Sequence, residues 1–137
     1  MNETTWQKAF EYLAEGNRGW AKDAPVLNII TANTLFGHND KPNKWNNYDT
    51  GAAALSLCIQ ATDMGLMTHQ MGGFDPAKAS ELFSIPEQFV PIVMMTVGYQ
   101  LAIDDMTDDI KERELAERKR KPLSECFFEG EWGKGIG

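Results

Sequence analysis

Four consecutive cations, Arg118-Lys119-Arg120-Lys121, form the longest run of like charge in this chain, and Pro122 follows them directly. Proline excludes helix just beyond the run. In an extended stretch, residues two apart point the same way. Arg118 and Arg120 can therefore converge on one anion while Lys119 and Lys121 face elsewhere. Guanidinium forks match phosphate oxygens, and each charge-assisted bond is worth about 1.5–3 kcal/mol. The plainer alternative is a solvated charge run balanced by Glu112, Glu114 and Glu117, which contributes little.

A second group is Gln70-Met71-Gly72-Gly73-Phe74-Asp75. Two glycines between a strand and a helix let backbone N–H groups come close to a ligand. Such amides can donate to a flat heterocycle or to an anion; the alternative is a simple strand-to-helix turn. His38 and His69 are the two histidines. Neither has a Ser or Cys at a recognisable spacing, so a hydrolytic triad is not supported. His69 falls on an expected buried strand and reads as a hydrogen-bonded core residue. Phe36, Trp45 and Tyr48 make an aromatic-rich loop that can wall a flat ligand, meet another subunit or anchor on the core. Cys58 and Cys126 lie outside any CxxC pair, so metal-ligand spacing is absent. Cys58 reads as a small core residue and the setting as reducing and cytoplasmic.

The elements must place these groups. The chain has 137 residues, 42% of them hydrophobic, with a net charge of -7. That is enough for one domain with a packed core, and the acidic balance argues against general nucleic-acid binding. The N-terminus shows no signal-peptide pattern, and no run reaches the length of a membrane span. Helical spacing is expected over Thr4–Glu15, stopped by Gly16. Ala24–Ala32 reads as a buried strand, followed by a polar loop to Asn47. Asp49 reads as the N-cap of a helix over Thr50–Thr62, a stretch without charge, which implies burial in a domain or at a subunit interface. Gly65 ends it. Leu66–Met71 is a further strand. Asp75-Pro76 starts a short helix to Phe83, and Phe89–Val97 is a buried strand. The stretch Asp104–Asp109 is expected to be a solvated loop or helix start, ahead of an extended apolar tail. Three strands are few for a stable sheet, so a fourth is expected from the tail, a partner chain or a further segment.

In this order and spacing, several stretches resemble the nitroreductase family of FMN flavoproteins: Ala24-Pro25-Val26-Leu27, Asp49-Thr50-Gly51-Ala52-Ala53, Gly73-Phe74-Asp75, Leu82-Phe83-Ser84-Ile85-Pro86, Val97-Gly98-Tyr99 and Arg118 to Glu125. The resemblance covers about residues 20 to 128. It implies an α+β fold of three layers, with a central sheet flanked by helices and a C-terminal arm over 118–137 exchanged with a partner subunit. It implies a homodimer with FMN at the interface, hydride taken from NAD(P)H, and electrons passed to nitroaromatics, quinones or similar acceptors by a ping-pong route. Residues matching the family's FMN contacts are Arg118 and Arg120 for the phosphate, and Gln70, Met71, Gly72 and Gly73 along the ring system. The chemistry belongs to the flavin, so no side chain is assigned as catalytic. The family's Arg-Arg-Ser-type motif and its Gln-Pro-Trp-like segment have no counterpart here, so the chain resembles the C-terminal two-thirds of a family member. Two other readings stand beside this one. The first is a non-catalytic dimeric domain with weak or no flavin binding. The second is a module for another phosphorylated small molecule.

Overall fold

The computed structural model describes residues 3–136, which divide into two compact units, one ending at Gln100 and the other starting at Leu101. In the first unit the chain runs α1 (Glu3–Phe10), α2 (Glu15–Ala21), β1 (Val26–Asn33), α3 (Asn46–Asp63), β2 (Met67–Met71), α4 (Pro76–Leu82) and β3 (Phe89–Gly98). The second unit holds a short 3-10 turn, α5 (Asp108–Leu115) and a further 3-10 turn at Leu123–Glu125. The arm expected over 118–137 falls inside this second unit.

The three strands form an antiparallel sheet in the order β1-β3-β2. The central strand is buried on both faces, because Met94 and Met95 are each 0% exposed and successive strand side chains point oppositely. Met94 joins Leu27, Met71, Ala9, Leu13 and Ala21 in one core, with Trp6, Phe10 and Phe83 packed against it. Met95 faces α3, where its sulfur meets the Cys58 thiol at 3.7 Å. Helices thus cover both faces, and the expected α+β, three-layer architecture holds. No strand of the tail joins this sheet among the described residues. Phe128 instead bridges Gly135 within the second unit.

Four local expectations are corrected. Helix α1 ends at Phe10, and Gly16 lies inside α2 rather than stopping a helix. The sequence Glu15-Gly-Asn-Arg-Gly-Trp-Ala has poor helix propensity; it is held because the Arg18 guanidinium donates to the carbonyls of Leu13 and Glu11. Helix α3 starts at Asn46, so Asp49 sits in its first turn instead of capping it. The Asn43 side chain accepts from the Trp45 amide at 3.0 Å and turns the chain earlier. Strand β2 is an edge strand, exposed except at Met71 and partly Thr68. Finally, α3 is not buried all round. Ala54, Cys58 and Ala61 face the sheet, whereas Leu55 and Ile59 are 58% and 62% exposed.

Helix α4 starts as its sequence requires. The Asp75 carboxylate accepts from the Lys78 amide at 3.0 Å, and Pro76 occupies the first helical position. That backbone hydrogen bond is the largest influence and holds the Asp75 carboxyl below the usual carboxylate range; desolvation opposes it, and the nearby Lys78 ammonium assists more weakly. A depressed folded pKa contributes stability above the unfolded pKa and loses it as pH falls through the folded value. Asp75→Ala is therefore expected to lower the melting temperature at neutral pH, with the deficit relative to the parent shrinking below about pH 4. Asp75→Asn, which still caps, should keep most of the stability; thermal melts across pH check both.

Candidate functional site

The turn from β2 to α4 is latched to the α1–α2 connection, far away in sequence. The carbonyl of Gly73 accepts from the Ala14 amide at 2.8 Å and from Asn17 Nδ2 at 3.0 Å. The amide of Asp75 donates to the Tyr12 carbonyl at 2.9 Å, and Leu13 bridges Phe74. Among the described residues, the loop hydrogen bonds of this turn use the carbonyls of Gly72 and Gly73 and the amides of Phe74 and Asp75. The glycine amides are not among them.

The two glycines differ in what they do. A Cβ on Gly73 would lie 2.9 Å from Asn17 Nδ2 and 3.3 Å from the Ala14 Cβ, so this glycine permits the latch. A Cβ on Gly72 would meet nothing within 4 Å. Packing places no demand on Gly72, and its exposed backbone is open to a close neighbour. Met71 is buried, so it offers a ligand only its backbone. Gln70 is exposed, on the α3 side of the sheet, and its amide donates to the Cys58 sulfur at 3.4 Å.

His69 is exposed rather than a core residue, because β2 lies at the sheet edge. Its ring stands edge-on to Trp20 with centroids 4.5 Å apart. His38 is exposed beside Asn39 and Phe36. In the polar loop, Lys44 lies over the Trp45 ring at 4.7 Å, while Tyr48 is 76% exposed at the start of α3. Sequence reasoning missed Ala14, Asn17 and Trp20. Their partners are about fifty residues away, and neither periodicity nor motif spacing carries that information.

In the second unit, Arg118 to Lys121 lie exposed in an irregular stretch between α5 and the 3-10 turn at Leu123–Glu125. The Arg120 guanidinium donates to the Lys119 carbonyl at 3.2 Å. The ion pairs formed in this unit among the described residues are Lys111 with Asp104 and Lys134 with Glu131. Neither of these two pairs uses the four clustered cations. The carboxyl of Asp109, at the start of α5, is held low chiefly by the Thr107 hydroxyl.

No helix among the described residues is long and apolar enough to cross a membrane. Comparison with known proteins adds identity to this geometry. An uncharacterized 15.4 kDa protein from the ask 5' region of Mycolicibacterium smegmatis is 30% identical over 124 residues, spanning 90% of this chain and 82% of that one. A crystal structure of an oxidoreductase containing FMN superposes with a TM-score of 0.83 at 33% identity, covering 96% of this chain and 67% of the other. A nitroreductase family protein from Streptococcus pneumoniae TIGR4 shares the fold, with a TM-score of 0.59 and 18% identity over 87% of this chain and 76% of its own. The sequence model described as the nitroreductase family matches residues 2–99, and the chain belongs to that family.

Proposed function

We propose that this protein is an FMN-dependent oxidoreductase that takes hydride from NAD(P)H and passes electrons to nitroaromatic, quinone or similar acceptors by a ping-pong route. The observation that carries the reading is the β2–α4 turn. It has an exposed glycine backbone on a rigid latch, in a chain that resembles an FMN-containing oxidoreductase over nearly its whole length.

Each unit, taken by itself, holds residues whose chemistry suits one part of a flavin nucleotide. Gly72 leaves open space where any other residue would carry a Cβ, so the backbone of Gln70, Met71, Gly72 and Gly73 can border a flat ring. Arg118 and Arg120 are exposed guanidinium groups suited to the phosphate. When bound, FMN supplies the two-electron chemistry. The chain's own contribution is to hold the ring against fixed amides and to anchor the phosphate. The latch from Gly73 to Ala14 and Asn17 keeps those amides from shifting, which preorganisation requires. Both cysteines are free, which suits a reducing cytoplasm. A homodimer accompanies this reading. Tyr48, Leu55 and Ile59 recur at helical spacing as one exposed apolar stripe on α3, the kind of patch that marks a subunit contact.

Purified protein titrated with FMN, then reduced anaerobically by NADH and NADPH in turn, tests the activity. A protein that FMN cannot titrate removes the reading and leaves a non-catalytic domain. Arg120→Ala is expected to weaken FMN binding by about 1.5–3 kcal/mol; unchanged affinity would remove the phosphate assignment. Gly72→Ala is expected to leave the melting temperature unchanged while weakening FMN binding, measured by the same titration. Leu55→Asp is expected to lower the mass in light scattering by breaking the α3 contact, and an unaltered mass would place the dimer elsewhere.

A further inference from the structure

Three side chains from three elements meet on the α3 face of the sheet. Gln70 of β2 and Met95 of β3 are paired across the strands, so their side chains stand side by side on one face. Cys58 of α3 touches both. Its sulfur lies 3.7 Å from Met95 Sδ and 3.4 Å from Gln70 Nε2. Met95 is fully buried, Cys58 partly so, and Gln70 is exposed. The cluster therefore runs from the core to the edge of the sheet.

Donor and acceptor chemistry fixes how these groups are arranged. A thioether sulfur accepts and carries no proton, so the proton between the two sulfurs is that of the Cys58 thiol. A thiol has one proton. With it directed at Met95, the Cys58 sulfur has only lone pairs to offer Gln70. Gln70 must then present its NH2 group and not its carbonyl oxygen. Turned the other way, the amide oxygen would compete for that proton and set sulfur lone pairs against each other. Each sulfur contact is weak, but both agree on one orientation, and the Met95 end is fixed in the core. The Gln70 Oε1 is the group this arrangement leaves uncommitted to Cys58, on an exposed side chain just ahead of Gly72.

The adjoining backbone offers groups of the opposite kind. Among the described residues, the amides of Gly72 and Gly73 take no part in the loop hydrogen bonds of the turn, so they are donors toward a ligand. A flavin ring edge carries both acceptors and an N–H, and donors alone match only part of it. We propose that Gln70 Oε1 supplies the missing acceptor, taking a hydrogen bond from a ring N–H of the cofactor, and that Cys58 is the positioning residue that turns the carboxamide to do so. Quinones and simple nitroaromatics carry no ring N–H, so this oxygen is matched to the cofactor and not to the electron acceptor. The inference rests on the flavin reading above and extends it from the backbone of Gln70 to its side chain.

The full-length protein loaded with FMN labelled with 15N in the ring tests it, by titration and by the 15N spectrum of the bound cofactor. Gln70→Leu is expected to weaken FMN binding about three- to tenfold, the scale of one neutral hydrogen bond. One ring N–H signal should move toward its position without a hydrogen bond. Cys58→Ala should move the same signal part of the way, and Cys58→Ser, whose hydroxyl donates and accepts like the thiol, should restore it. Gln70→Glu makes the same test if Cys58→Ala fails to fold: it keeps acceptor oxygens but has no N–H for the thiol, and the signal should again move. A Gln70→Leu protein that binds FMN with unchanged affinity and an unchanged spectrum overturns the proposal and leaves the flavin reading standing. A Cys58→Ala protein that melts lower but keeps the signal in place shows a structural role alone and overturns the positioning role. A parent protein that FMN cannot titrate removes the flavin reading and this inference with it.

Discussion

The structure depends on β3. It is the one strand paired on both sides, and its adjacent residues Met94 and Met95 are each fully buried on opposite faces. Everything else is arranged by which face of β3 it covers. Met94 gathers α1, α2 and the buried end of β2 into one core, while Met95 receives α3 through Cys58. Methionine suits such a place. Its unbranched, polarizable side chain fills the irregular space between elements that meet at different angles. A buried strand without charge also fixes register, since a one-residue slip would exchange its two faces.

From that centre the candidate site follows by two steps. Strand β2, in register with β3, ends at Met71, whose burial anchors the turn that comes next. The turn cannot drift, because the Gly73 carbonyl and the Asp75 amide are tied to the α1–α2 connection. A rigid turn with an open glycine is what a nucleotide-binding backbone needs, and here the rigidity comes from contacts over long separations. The cations at Arg118 to Lys121 belong to a different compact unit. They lie exposed there, between α5 and the turn at Leu123–Glu125.

The same economy of charge explains the exposed surfaces. A chain with a net charge of -7 carries two stretches without charged residues, 24–39, which includes β1, and 50–62, which is most of α3. The second leaves Leu55 and Ile59 exposed, the kind of apolar patch that marks a contact surface.

Much of this was legible in the residues. Asp75-Pro76 marked a helix start because a carboxylate cap and a preset φ act within four residues. Gly65 marked the end of α3 because its φ of +75° disfavours other residues. Strands β1 and β3 were readable from apolar β-branched runs, and the family from the order of short motifs. What the sequence could not decide was which strand stood at an edge, which face of α3 was covered, and why Gly73 is glycine. A central run and an edge run can have similar composition, as β3 and β1 do, because burial of a strand's faces sets its apolar content and leaves its pairing unspecified. The latch to Ala14 and Asn17 joins residues nearly sixty apart. Only packing brings them together, and no local propensity or spacing encodes a contact whose geometry exists solely after the sheet has formed.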